Sequence, residues 1–159
     1  MTYTGWTGGA EITTTRLNAI SGIWVPYTVS WTATTANPSI GNGLLEGKYA
    51  LVGGMCTVRI NLSMGSTTTY GSGEWQFSLP FVAATLGHVD FHWVGGSTGL
   101  DRTTAWHPGQ SRVASGANHV RCISPTAADG GTGGEWNATR PHVWANTDIL
   151  NLTCTYEPA

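Results

Sequence analysis

The chain has 159 residues, only 10% of them charged, and a formal net charge of −2 at pH 7. That length suits one domain able to bury about two-thirds of its unfolded surface, and low charge beside 40% apolar residues excludes a disordered chain. The 7 Lys and Arg are scattered, which excludes nucleic acid as a partner, and no apolar run reaches the length of a membrane span.

Residues 1 to 12 are polar and glycine-rich, with Tyr3 and Trp6 as the only anchors. The opening MTYTGWTGG has neither the basic end nor the apolar run of a secretory signal. Thr13 to Trp24 is the one predicted helix: a threonine can cap it, and Leu17, Ile20 and Trp24 share one helical face. A helix this short, weakened by Gly22, needs a partner such as its own symmetry mates. Residues 1–25 are therefore expected to form an arm and short helix, with Tyr3, Trp6, Leu17, Ile20 and Trp24 as attachment or oligomer contacts. Residues 26–159 are expected to form the β-domain.

From Tyr27 the period becomes two, with Tyr27, Val29, Trp31 and Ala33 on one side of a predicted strand. A turn at Ala36-Asn37-Pro38 leads into Ser39–Pro80, which reads as three strands separated by glycine turns. Met55 to Met64 places Cys56, Val58, Ile60, Leu62 and Met64 on one face. Glu74 to Leu79 alternates Trp75, Phe77 and Leu79 with polar residues and stops at Pro80, which has no N–H for a ladder. The glycines of Gly65 to Gly73 predict a hairpin between these two strands, with an oversized hydroxyl-rich tip.

The second half is less patterned. Gly87 to Gly95 alternates Val89, Phe91 and Trp93 with His88, Asp90 and His92 and is predicted as a strand. Gly96 to Gln110 is predicted as a long connection carrying Arg102, Trp106 and His107. Short strands follow at Arg112–Ala114 and Ala117–Ile123, then the longest loop, Ser124 to Thr139. The final strand, Asp148 to Tyr156, puts Leu150, Leu152, Cys154 and Tyr156 on one face. About eight or nine short strands with turn signals between them predict an all-β fold. An antiparallel, jelly-roll-like β-sandwich is expected, with a closed barrel as the alternative.

Two runs are familiar together. P-S-I-G-N-G-x-L-x-G-x-Y-x-x-V-G opens with Pro38, Gly41, Asn42 and Gly43. G-S-T-T-T-Y-G-S-G-x-W-x-F-S-L-P contains Gly65, Gly71, Gly73, Trp75, Phe77, Leu79 and Pro80. They resemble the distal β-domains of bacteriophage tail-fibre and minor tail proteins. The phrase from Glu11 to Trp24 resembles the segment leading into such domains, so the resemblance covers about the first half of the chain. It implies a virion surface module, often trimeric, that in many cases engages the host envelope.

Three cysteines cannot all pair within the chain, and Cys56, Cys122 and Cys154 sit among apolar strand positions. They read as buried free thiols made in a reducing cytoplasm. His88, Asp90 and His92 are the best metal set, but three ligands on an extended strand span about 13 Å, too wide for one ion. No metal or cofactor is expected. No G-x-S-x-G occurs, and none of the 9 carboxylates falls in a recognisable catalytic pair, so no enzyme is expected. Binding is better supported: Trp106, His107, Trp136 and Trp144 lie in or beside the long loops, where rings can stack on sugars. Asp101, Arg102, Asn137 and Arg140 would supply hydrogen bonds.

The expectation is a non-enzymatic virion structural protein of the minor tail or fibre-tip type. It would assemble as a homotrimer, contact other tail or capsid proteins and bind a host cell-envelope glycan, without membrane insertion. A capsid decoration protein and a free carbohydrate-binding module are the alternatives.

Overall fold

The computed structural model describes residues 13–14, 22–126 and 132–159. Tyr3 and Trp6 of the predicted arm, and residues 15–21 of the predicted helix with Leu17 and Ile20, lie outside the described residues. Among the described residues the elements are β1 (Val25–Tyr27), β2 (Trp31–Ala33), β3 (Leu44–Val52), β4 (Met55–Ser63) and β5 (Trp75–Ser78). They continue with β6 (His92–Asp101), β7 (Ala105–Ala114), β8 (His119–Thr126), β9 (Thr132–Glu135) and β10 (Ile149–Tyr156). The fold is all-β and antiparallel, in the order β1-β3-β4-β10-β6-β7-β8-β5-β2, with β9 attached to β8.

That order forces a shape. The edge strands β1 and β2 are neighbours in the chain, separated only by residues 28–30. A flat sheet would hold these edges about 38 Å apart at roughly 4.8 Å per strand, whereas four residue steps reach about 14 Å at most. The sheet therefore curls until its two halves face each other across one core. Ser78 stitches the edges: it accepts the Tyr27 hydroxyl at its carbonyl (3.1 Å) and the Ser30 N–H at its own hydroxyl (2.8 Å). The single strand expected over Tyr27–Ala33 is thus split, because its two ends serve opposite edges of one sheet.

The core is what the alternation demands. Cys56, Val58, Ile60 and Leu62 of β4 are fully buried, and β10 matches them in register with Tyr156, Cys154, Leu152 and Leu150. Trp31, Trp75 and Phe77 close the core from the other half, Trp31 meeting Trp75 edge-on at 4.8 Å. Cys56, Cys122 and Cys154 are free and buried, and burial pushes the Cys122 thiol up to about 12.

The expected hairpin of Met55–Met64 with Glu74–Leu79 does not form. β4 pairs with β3 and β10, while β5 pairs with β8 and β2. Instead residues 65–73 lie along 36–43: Ser39 and Thr69 exchange two backbone bonds at 2.9 Å, and Asn42 Oδ1 accepts the Thr67 N–H at 2.9 Å. Gly41 and Gly71 have φ of 56° and 60°, and a side chain on either would strike the opposing backbone. The glycines and hydroxyls shared by the two motif runs therefore tie those runs to each other. Among the described residues no helix is long and apolar enough to cross a membrane.

Candidate functional site

The stretch expected as a long connection after Gly96 is a hairpin. β6 and β7 pair from His92↔Ala114 to Asp101↔Ala105, closed by a turn at residues 102–104. Asp101 organises the turn: its carboxylate accepts the Thr103 N–H (2.9 Å) and the hydroxyls of Thr103 and Thr104 (2.6 Å each). Those bonds hold its carboxyl well below the usual carboxylate range. The long loop predicted over Ser124–Thr139 is also partly strand, since β8 runs to Thr126 and β9 occupies Thr132–Glu135.

Residues 136–148 fold back over this hairpin and bring most of the sequence-selected residues to one end of the sheet. Asp148, almost fully buried, accepts the Arg102 N–H (3.1 Å), the Ala145 N–H (2.8 Å) and a hydrogen bond from His142 Nε2 (3.1 Å). His142 stacks on His107 with ring centroids 4.6 Å apart, and lies 4.2 Å from Trp144. Burial lowers the His142 pKa, and the Asp148 hydrogen bond opposes that shift. His142 Nδ1 and His107 Nε2 are both buried without a hydrogen-bond partner. Asn137 pairs with Arg140 through the backbone, and the Arg140 guanidinium lies against Gly134.

Two of the three loop tryptophans are not available to a sugar. Trp136 and Trp144 are 1% and 3% exposed, 5.9 Å apart, and donate their indole N–H groups to Ser124 Oγ and the Arg140 carbonyl. They plug the end of the core because the inner face of β7 there is small: a Cβ on Gly109 would stand 2.5 Å from the Trp136 ring. Trp106 differs. It is 61% exposed and faces outward from β7.

The outer face of β7 carries Trp106, Pro108, Gln110, Arg112 and Ala114, because successive side chains alternate. At its far end, about 20 Å from Trp106 at roughly 3.4 Å per residue, an open groove of about 210 Å³ is lined by His92, Arg112, Ala114, His119 and Arg121. Arg112 pairs with Glu135, and Arg121 with Glu74 at 2.7 Å. His119 Nε2 accepts the Arg121 Nε–H at 3.2 Å, and burial beside that guanidinium lowers its pKa. The sequence reading missed this groove. Its available signal was Arg112 and Arg121 at mirrored positions about residues 115–118, the link between β7 and β8, which places them on one face.

His88, Asp90 and His92 do not share one strand: residues 87–90 form a turn and bend, and the Asp90 N–H bonds to His88 Nδ1 at 3.1 Å. Among the described residues no group of three His, Cys, Asp or Glu is placed to hold a metal ion. Trp24, 44% exposed, lies under the Arg59 guanidinium at 5.5 Å.

The chain is 32% identical over 136 residues to the Mu-like prophage FluMu defective tail fiber protein of Haemophilus influenzae. The match covers 82% of this chain, and the chain spans about a fifth (20%) of that relative. No family model matches, and no solved structure matches. The likeness supports the tail-fibre type to which the Pro38–Gly53 and Gly65–Pro80 runs point, and it extends well beyond the half of the chain that carries them.

Proposed function

We propose that the chain is a non-enzymatic structural domain at the distal end of a phage tail fibre. It works as a homotrimer on the virion and contacts a host-envelope glycan through the outer face of β6–β8. The carrying observation is the likeness to a tail fiber protein along 82% of the chain. Two features of the surface add to it. Trp106 offers an outward aromatic platform, as a saccharide-stacking site requires. Ile23, Trp24, Val25, Val52 and Met55 are exposed apolar groups where β1 arrives beside the β3–β4 turn, and a second and third copy would cover them.

The test is mass by light scattering, with a pull-down on host cells and on undecorated capsids. A trimer that binds cells supports the reading. A trimer that binds only capsids moves the domain to the decoration class, and a monomer that binds neither overturns the virion reading.

A further inference from the structure

We propose that the groove between β6, β7 and β8 is a recognition site for an oxyanion, a carboxylate or phosphate carried on an acidic saccharide. It rests on the host-surface reading only for the source of that ligand.

Two cations converge at this groove. Arg112 and Arg121 are directly paired residues of adjacent strands, and like charges in that position repel. Both are anchored from one side. Glu135, 9% exposed, holds Arg112 and lies 3.9 Å from Arg121, while Glu74 takes the Arg121 Nη1 donor. Arg121 Nε is committed to His119. The two planar groups are thereby fixed in orientation, and most of their N–H donors remain for a partner. Two oriented guanidiniums match the bidentate geometry of carboxylate and phosphate, which hydroxyls alone do not exploit.

The surroundings suit a group carried on a sugar. His92 donates its Nδ1–H to the Asp90 carbonyl at 2.8 Å, so the ring is held at the groove wall with Nε2 free. Val94, 65% exposed and opposite Arg112, supplies an apolar margin for a pyranose face. The carboxylates behind the guanidiniums balance their charge, so the site selects by oriented hydrogen bonds and binds weakly as a single copy. Three copies on a fibre would raise the avidity without any new contact. From the groove to Trp106 the outer face of β7 runs about 20 Å, enough for a short saccharide chain to reach both ends.

The test is a titration of the full chain, followed by backbone amide NMR, with D-glucuronate, inorganic phosphate and D-glucose in separate arms. Saturable shifts at His92, Arg112, Ala114, His119 and Arg121, with a Kd of about 1 mM weakening in added salt, are expected for at least one anion. Saturation by both anions assigns the site to oxyanions of either source; saturation by one alone assigns it to that source. Equal saturation by glucose, or no saturable shift at the groove, overturns the proposal. Arg112→Ala strands Glu135, so the variants are Arg121→Lys, which keeps the charge but not the fork, and His92→Ala. Each should keep the native spectrum, and Arg121→Lys should weaken the anion about 10-fold. Unchanged anion affinity in Arg121→Lys overturns the role of the fork. Should the native chain bind glucuronate but not cells, the host-surface reading fails and the groove stands; should it bind cells with no anion in the groove, the reverse holds.

Discussion

Arg112 on β7 and Arg121 on β8 stand directly opposite each other on one face of the sheet, with Glu135 of β9 reaching both. The carboxylate is what makes this pairing tolerable. It is 9% exposed, one of its oxygens has no partner, and it is the one carboxylate of the described residues within ion-pair distance of both cations.

Glu135→Ala should therefore lower stability by about 2–3 kcal/mol, since it strips a buried charge pair of its centre. Glu74 also pairs with Arg121, but its side chain is 44% exposed, and Glu74→Ala should cost less than about 1 kcal/mol. Urea midpoints of the two variants test the contrast. Equal losses would mean that Glu135 is not the organising charge.

Acid should loosen the loop end. His142 is held below its ordinary value mainly by burial, with the Asp148 hydrogen bond opposing and the stacked His107 adding to the shift. A lowered folded value means that the unfolded chain takes up the proton first. The stability from a neutral His142 is thus present above about pH 6.5 and is lost as the pH falls through the window below it. His119 is lowered in the same direction, whereas Asp101 acts only below about pH 4. The urea midpoint should drop between pH 7.5 and 5.5, and His142→Asn should shrink that drop while His119→Asn removes a further part. A midpoint that does not fall over this range would contradict the assignment.

Gly109 and Gly96 face opposite sides of the same hairpin and should respond oppositely to one methyl group. A Cβ at Gly109 meets the Trp136 ring at 2.5 Å, Ser97 Oγ at 2.7 Å and the Ile123 carbonyl at 2.8 Å; at Gly96 nothing lies within 4 Å. Gly109→Ala should cost about 1–3 kcal/mol as an overpacked site, while Gly96→Ala should fall within about 0.5 kcal/mol of the native protein. Thermal melts of the two variants are the measurement.

The tryptophans divide in the same manner. Trp144→Ala empties a buried site packed against Trp75, Trp136 and His142 and should cost about 3–5 kcal/mol. Trp106→Ala removes an exposed ring, so the melting temperature should stay within a few degrees while cell binding falls. Full cell binding by Trp106→Ala would take that ring out of the contact.

Strand faces were legible wherever one side is buried and made of large side chains. β4 and β10 alternate as their residues announce, down to Cys56 and Cys154. Partners were not legible, because a period of two assigns a face and says nothing about the neighbour. That is why β4 and β5 looked like a hairpin. The β6–β7 hairpin was hidden for a different reason. Its middle inward positions, Gly95, Ser97, Gly99, Gly109 and Ser111, are small because Trp136, Trp144 and the Thr153 carbonyl occupy the space above them. The apolar volume that would have marked these strands comes from residues 136–144. The same displacement made Trp136 and Trp144 look like loop residues free to meet a ligand.

The position of β10 has a consequence for how the chain reaches this state. It lies between β4 and β6, bonded to Arg59, Ile60 and their neighbours on one side and to Gly96–Leu100 on the other. Of the described strands it is the last to be synthesised, yet it joins the halves that precede it. During translation β3–β4 and β6–β8 can each zip locally, but each presents an unpaired edge toward a gap that only residues 149–156 fill. Closure is therefore a terminal event with high sequence separation. A ribosome stalled before residue 149 would hold two sticky half-sheets, and chains emerging side by side could fill each other's gaps.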